Sequence, residues 1–489
     1  MNIFRRCCFI ILTGIALQAH AGINEYMEKI HANPKALYAF LKAMPKGGEL
    51  HYHFTGSTYA EAMLAQAAQG HYCLDPKTFV LHSFDGVCNG VNAKDIAKNP
   101  VFFKQVVQAW SMKNFTTGRE SGHDHFFNSF GKFGSVAFDY YPQSLADIME
   151  RASSQHELYL EIITFFLSND DVFAKLIRST TNLNQKMRIL LANPAFQASI
   201  NQSVSNSEHF LREAHHELRC DSEPNKPACQ LTIKFHYFVK REEPLDSIFA
   251  QALAGFAAAA KSNNIVGINL VQPEDGAISL RDYHAQMQIF KFLHAVFPKV
   301  HISLHAGELD PQMALPKDLR FHIHDAIFTG KAERIGHGVD ISYEDNNLNL
   351  LDSMEKKRIP VEINLTSNRV ILNIAGIQHP LNDYIKHHVP VVLSTDDEGI
   401  LRTDLTSQYV DAVLNHHLDY PTIKMLNRNS LTYSFLPGKS IWVDPVKQII
   451  VPACQDLASS HCKQYINGNQ KALLQVALEQ KLSTFEHNF

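Results

Sequence analysis

The chain has 489 residues, of which 45% are hydrophobic and 19% charged, with 49 acidic side chains against 45 basic ones. This is the composition of a globular protein long enough for one large domain or two to three ordinary ones. The slight acidic excess lacks the basic footprint that a nucleic acid or an anionic membrane surface would require.

Arg5 and Arg6 precede an apolar run from Cys7 to Leu17, and Ala19-His20-Ala21 supplies an A-x-A cleavage pattern. Residues 1–21 therefore read as a signal peptide cut after Ala21, and the run is too short to span a bilayer. The expected mature chain is exported, periplasmic or secreted, and makes no membrane contact after cleavage. Cleavage leaves 43 basic against 49 acidic residues, a formal charge of −6, and reduces eight cysteines to six. The six stand in close pairs: Cys73 with Cys88, Cys220 with Cys229, Cys454 with Cys462. An even count after export suits an oxidising compartment and three short-loop disulfides, nearest-neighbour pairing being the favoured one of fifteen.

Residues 22–43 are helical in pattern, with Ile23, Tyr26, Met27 and Ile30, then Leu37, Phe40 and Leu41 after Pro34. MPKGGELHYHFTG at 44–56 is a glycine-punctuated entry into a strand, followed by a polar insert at about 70–125 that bears Cys73 and Cys88. A β-rich rhythm then sets in. Its runs are Leu158–Phe166, Leu231–Val239, Ile265–Val271, Val300–Leu304, Glu333–Gly336, Pro360–Leu365 and Pro390–Ser394, and Glu49–His53 makes eight. The intervals carry helical patterning, as in Leu245–Ala260 and Tyr283–Phe297.

Alternating strands and helices imply parallel βαβ units, and eight of them an α/β fold of the closed (β/α)8 TIM type over 44–440. The competitor is an open, doubly wound sheet. Polar residues end runs one, five, six and eight, and only a barrel brings those ends to one mouth. A tail at 441–489 ends in an amphipathic helix marked by Leu474, Leu478 and Leu482. PGKS at 437–440 is not a phosphate loop, because Tyr433 stands where that motif needs glycine.

Histidine is abundant (27), and H-x-H occurs at 51–53, 123–125 and 322–324. HDH at 123–125 reads as a solvated loop and HIH at 322–324 as a helix start. Strand alternation puts His51 and His53 on one face, as two ligands of one metal or as satisfied core histidines. HAGE adds His305 and Glu308, a carboxyl suited to proton transfer near a metal or a plain loop acid. RIGHG sets His337 between glycines that let backbone and ligand approach closely. VVLSTDDEG ends a buried run in Asp396 and Asp397, and buried carboxylates require a compensating cation or donor. Three imidazoles with one carboxylate suit zinc, with water as a further ligand. Run four, Ile265–Val271, offers no lysine or other bridging ligand, which points to a single ion per chain.

MPKGGELHYHFTGS, SLHAGE, RIGHG, PVEINLTSN and LSTDDEG stand in the order seen in the adenosine deaminase family. The chain resembles most its secreted branch, the adenosine-deaminase-related growth factors, through MPKGG, the cysteine-bearing insert and the signal peptide. The resemblance implies a zinc-containing (β/α)8 barrel with His51, His53, His305 and Asp396 on the metal. It implies that Glu308 protonates the purine ring nitrogen beside the attacked carbon, and that His337 orients and deprotonates the water. Asp397 would hydrogen-bond the imidazole-ring side of the purine. Two positions depart from the family pattern. Thr55 replaces an acid that contacts the sugar, and Gln272 replaces a glycine whose backbone contacts the purine.

The implied activity is exported, zinc-dependent conversion of adenosine and 2′-deoxyadenosine to inosine-type products and ammonia. Alternatives are the same chemistry on another aminopurine, or a signalling or binding protein on this fold. A purine nucleoside is the expected small-molecule partner, and oligomeric state stays open, with a homodimer among the options.

Overall fold

The computed structural model describes residues 22–118, 120–166 and 170–489. The expected signal peptide lies outside them. No helix among the described residues is long and apolar enough to cross a membrane.

Eight strands form one all-parallel sheet in sequence order. They are β1 Lys46–His53, β2 Glu157–Thr164, β3 Thr232–Lys240, β4 Ile265–Val271, β5 His301–Ala306, β6 Arg334–His337, β7 Val361–Ile363 and β8 Val391–Leu393. Each coincides with an expected run. Most are near-continuous apolar stretches because helices cover the outer face of a parallel sheet, whereas β1 (KGGELHYH) and β6 (RIGH) carry polar residues. The ring joins up through a parallel bridge between Tyr52 and Asp396, where the His53 amide donates to the Asp396 carbonyl at 2.9 Å. The helix Leu245–Ala259 is buried almost throughout because it lies between the barrel wall and the helices Asp170–Ile177 and Pro194–Glu217.

The excursion from β1 to β2 takes residues 54–156 and carries the Cys73–Cys88 disulfide in a small three-stranded sheet. HDH at 123–125 is not the solvated loop its polarity implied. It lies in the helix Gly122–Phe130, whose N-cap Ser121 accepts from the Asp124 amide. HIH does open a helix, His322–Phe328. The tail holds a hairpin of Trp442–Asp444 with Ile449–Ile450, and the helix Gln470–Glu486 buries Leu478 and Leu482. Cys220–Cys229 and Cys454–Cys462 are bonded as expected. Together the three crosslinks close loops of 15, 9 and 8 residues, and a 15-residue loop is worth about 3 kcal/mol.

The barrel interior is crossed by charge. Arg334 on β6 donates to Glu161 on β2 and to Glu362 on β7, both at 2.6 Å, with all three buried. His236 on β3 lies 2.7 Å from Glu161, and Glu362 accepts from Ser303 at 2.8 Å. Against the upward push of burial, Arg334 and His51 hold the Glu362 carboxyl down at about 2.

A second buried acid clasps the ring shut. Glu49 on β1 accepts from the Thr395 amide at 2.6 Å and its hydroxyl at 2.7 Å. Burial, then repulsion from Glu398, raises this carboxyl to about 8. The folded chain thus keeps a proton that the unfolded chain releases near pH 4.5. The resulting stabilisation is complete below that value and is lost as pH rises through about 8, with a slope of up to about 1.4 kcal/mol per pH unit. The thermal midpoint of the unmodified chain relative to Glu49→Gln is therefore expected to fall as pH rises from 5 to 9.

Candidate functional site

The C-terminal ends of β1, β5, β6 and β8 bring five side chains to one point: His51, His53, His305, His337 and Asp396. His53 Nε2 stands 3.1 Å from His305 Nε2 and 3.3 Å from Asp396 Oδ1. His51 Nε2 stands 3.6 Å from the same Asp396 oxygen, and His337 Nε2 4.0 Å from Oδ2. All five residues are buried.

Outer contacts aim these rings inward. His51 Nδ1 meets Glu362 at 2.8 Å, His305 Nδ1 meets Asn269 Oδ1 at 2.8 Å, and Asn368 donates to His337 Nδ1 at 2.9 Å. Each of these three rings has its Nδ1 engaged and presents Nε2 to the cluster. Burial, with the neighbouring imidazoles, lowers His53 to about 4, His337 to about 3 and His305 well below its ordinary value, so these rings are neutral and able to ligate. His51 is the exception. Against burial, Asp396 and Glu362 raise it to about 9, and a bound cation would displace that proton. Asp396 is ionised, held below the ordinary carboxylate range by His51 and His53 although burial opposes it.

The residues fit a metal ion. Four ligand atoms about 2.0–2.2 Å from a central ion stand roughly 3.3–3.6 Å from one another in a tetrahedron, against the 3.1, 3.3 and 3.6 Å found here. His51 Nε2 is buried with no hydrogen-bond partner, as a ligand atom awaiting a cation would be. Among the described residues, both groupings able to hold a metal share Asp396, so they define one centre.

Around the cluster lie the proton-transfer candidates. Glu308 Oε1 is 3.6 Å from His337 Nδ1. Burial, then Asp396 and Glu274, raises the Glu308 carboxyl well above its ordinary value, and burial with Asp396 does the same to Asp397. Both carboxyls thus hold a proton more readily than Asp396 does, and a protonated carboxyl can donate. This sharpens the expectation for Asp397: an unprotonated purine nitrogen can only accept, and a protonated Asp397 supplies the donor. Asp397 Oδ1 is buried without a hydrogen-bond partner, and a Cβ at Gly56 would collide with it, which explains the glycine of HYHFTG.

The glycine before His337 has a different use from the one anticipated. A Cβ at Gly336 would stand 2.7 Å from Cε1 of His51, so this glycine makes room for a cluster ring. Three site residues take backbone conformations that favour glycine: Gln272 at φ 90°, His337 at 69° and Asp396 at 67°. Non-glycine residues in this region are strained by about 1–3 kcal/mol each, and such strain gathers at active sites. Gln272 keeps the glycine-like turn at the end of β4, and its side-chain carbonyl accepts from the Glu242 amide at 3.0 Å. Thr55 and Gln272 both line the pocket that opens from the cluster.

Sequence reading missed the residues that hold the site in place. Glu274 accepts from the amides of Gly307 and Glu308 at 3.1 and 2.9 Å and meets His322 at 2.6 Å. Arg241 donates to the His305 carbonyl at 2.7 Å, and His379 donates to Asn368 at 3.0 Å. A charged residue inside an apolar run, as Glu362 is in PVEINL, was the available signal.

The fold and cluster define a class: a (β/α)8 barrel with a metal-capable His/Asp centre at its C-terminal mouth. Residues 223–442 match the family model "Adenosine deaminase". An aminodeoxyfutalosine deaminase of Streptomyces coelicolor is 31% identical over 159 residues, 32% of this chain and 38% of the relative. An adenosine deaminase of Klebsiella pneumoniae is 37% identical over 137 residues, 28% of this chain and 38% of the relative. The chain thus spans about four-tenths of the length of the curated relatives it matches.

Solved structures share the fold over most of the chain. The N6-methyl-AMP deaminase of Arabidopsis thaliana has a TM-score of 0.52 at 21% identity, covering 84% of this chain and 96% of that one. The adenine deaminase of Arthrobacter aurescens has a TM-score of 0.52 at 15% identity, covering 80% and 94%.

Glu362 holds the His51 ring through Nδ1 and so aims Nε2 at the cluster; Glu362→Gln is expected to weaken metal affinity by roughly 10–100-fold. Metal content after dialysis against graded chelator checks this. Gln272→Gly is expected to relieve backbone strain and raise the thermal midpoint.

Proposed function

We propose that the chain is a zinc-dependent hydrolytic deaminase of 6-aminopurines, with adenosine and 2′-deoxyadenosine as the first substrates to test. One observation carries this reading: Asp396 and four imidazoles converge at the buried barrel mouth, with the carboxyls of Glu308 and Asp397 beside them. Three imidazoles and a carboxylate suit zinc, and we assign His51, His53, His305 and Asp396 to it. Zinc held there would lower the pKa of water toward about 7, the chemistry that makes water a nucleophile at neutral pH.

The chain's own residues do the rest. Glu308 donates its proton to the ring nitrogen beside C6, which makes C6 electrophilic. Asp397 donates to the imidazole-ring nitrogen and, with the Gln272 backbone N–H, fixes the base. His337 holds the attacking water and takes its proton on Nε2. That role puts the ring's own proton on Nδ1, where the Asn368 side-chain oxygen accepts it once the amide oxygen and nitrogen exchange places. The proton taken by His337 passes to the C6 amino group, which leaves as ammonia while the C6 hydroxyl proton returns to Glu308 and the carbonyl forms, so both groups are reset.

The comparisons support the chemistry, since relatives and neighbours are named as deaminases of adenosine, aminodeoxyfutalosine, adenine and N6-methyl-AMP. A neighbouring amidohydrolase of Burkholderia ambifaria, at TM-score 0.51 and 13% identity over 91% of this chain, is described with bound Zn. Export after cleavage at Ala21 belongs to the same proposal, supported by three disulfides of a kind that persist in oxidising compartments.

The test is ammonia release from adenosine, 2′-deoxyadenosine, adenine and adenosine monophosphate, alongside metal analysis. Folded, zinc-replete protein that deaminates none of them would sink the proposal. Glu308→Gln is expected to retain zinc and lose turnover by roughly 10²–10⁴-fold. Stripping the metal is expected to abolish turnover, and added zinc to restore it.

A further inference from the structure

A second cavity, of about 470 Å³, opens at the end of the barrel opposite the histidine cluster. Its place follows from the strands that reach it: His301 begins β5, Arg334 begins β6, and Ile359 and Pro360 lead into β7. Helix ends supply the remaining wall. Lys331 follows the helix His322–Phe328, Lys357 and Arg358 close the helix Asn347–Lys357, and Lys471 lies in the first turn of Gln470–Glu486.

The lining is unbalanced in charge. Lys331, Lys357, Arg358 and Lys471 meet one acid among the described residues of the wall, Glu333, and His301 already engages that carboxylate at 3.0 Å. Arg334 also reaches the wall, but its guanidinium is committed to Glu161 and Glu362, so it is floor rather than ligand. Local needs of the fold account for part of the imbalance. A cation in the last turn of a helix meets the negative end of its dipole, which suits Lys357. Lys331 donates to the Phe328 carbonyl at 2.8 Å, and Lys471 to those of Thr432 and Ser434 at 3.2 and 2.9 Å. Carbonyls take up some of the ammonium protons and leave the net charges uncompensated.

Arg358 is the least satisfied of the four. Glu355 stands 3.6 Å from its Nη1, beyond hydrogen-bond reach, and that nitrogen is buried with no hydrogen-bond partner. Asp444, the other acid that Arg358 feels, accepts instead from the Val446 and Lys447 amides. On the same wall, His294 Nδ1 is likewise buried and unpartnered. A buried donor without a partner is costly, and a ligand acceptor would remove that cost.

Cations that converge in a concave site concentrate positive potential there and draw in anions. The volume is that of a small-molecule site. A lone carboxylate offers too little charge for four cations. Linked phosphates carry several charges and enough acceptor oxygens to meet ammonium groups and the planar Arg358 fork together. We propose that this cavity binds a small anion bearing two or more linked phosphates, held by Lys331, Lys357, Arg358 and Lys471. The site is separate from the deaminase centre, and its test is independent of that reading.

Calorimetry on zinc-loaded full chain, at one ionic strength set with sodium chloride, uses inorganic pyrophosphate, uridine diphosphate, uridine monophosphate and uridine. The uridine series avoids the 6-aminopurine proposed for the mouth, and zinc content measured before and after each titration separates binding from chelation. Both diphosphates are expected to bind once per chain with a Kd of about 0.1 mM or tighter. The monophosphate is expected to bind at least tenfold more weakly, and uridine not at all. Lys357→Ala and Arg358→Gln, each checked for folding by thermal midpoint, are expected to weaken both diphosphates by roughly 10-fold. Lys104→Ala, which removes an equal charge from an exposed position on the helix Pro100–Ala109, is expected to leave them unchanged. Equal affinity for the two diphosphates supports the site, and tighter uridine diphosphate supports it and adds a nucleoside to its ligand. Diphosphates that fail to bind, that bind no better than the monophosphate, or that bind both variants as tightly as the unmodified chain would overturn the inference.

Discussion

Everything in this barrel depends on how its buried acids are compensated. Glu161 and Glu362 are fully buried and share Arg334, and Glu362 passes the compensation on to His51. His51 faces Asp396, whose other neighbours are His53 and His337. A line of alternating charge thus runs through the barrel core and ends at the mouth, where the last partner is to be a cation. Removing one member of such a line leaves a buried charge exposed to low dielectric, at a cost of about 3–5 kcal/mol. The same logic separates the mouth carboxyls. Asp396 is ionised because imidazoles surround it, and Glu308 and Asp397 are neutral because burial and Asp396 itself discourage further charge. Titratable groups with environments that differ in this way mark the division between ligand and proton donor.

Closing the barrel and making the site are one event. The bridge that joins the first strand to the last pairs Tyr52 with Asp396, so the residues on either side of it are cluster histidines and the paired aspartates. Tyr52 also donates to Glu398 at 2.5 Å, which Arg151 holds from the excursion between β1 and β2. The positive φ of Asp396 and His337 is retained because strand hydrogen bonds, Glu49 and the neighbouring rings over-determine the positions. Gln272 shows how a glycine-like turn can be kept without glycine. The backbone takes the same strained path, and the side chain is anchored behind it.

Much of this was legible in the sequence, for a physical reason. In a parallel barrel the strands are apolar, so polar residues at strand ends stand out, and that contrast picked out His51, His53, His305, His337 and the pair at 396–397. Disulfide partners were legible because loops of 8–15 residues place neighbours within reach. The supporting residues were not legible. Glu362 and Asn269 interrupt apolar runs, which signals a compensated buried polar group but not the partner it meets, and Arg334 opens its strand without any such contrast. Asn368 and Glu274 act across the barrel, at separations of 31 and 34 residues from the groups they hold. HDH misled because Gly122 reads as a loop residue, whereas Ser121 before it caps a helix. The basic cavity at the opposite end was hidden for the same reason as the supports, since it assembles from several separate stretches of chain.

The measurement that most directly tests the account is anomalous X-ray diffraction at the zinc edge from crystals of the mature chain. One peak per chain is predicted, about 2.0–2.2 Å from Nε2 of His51, His53 and His305 and from a carboxylate oxygen of Asp396. Two peaks at the mouth, a peak held by other residues, or a zinc-supplied crystal with none would contradict the claim that this line of buried acids is built to end in a single metal ion.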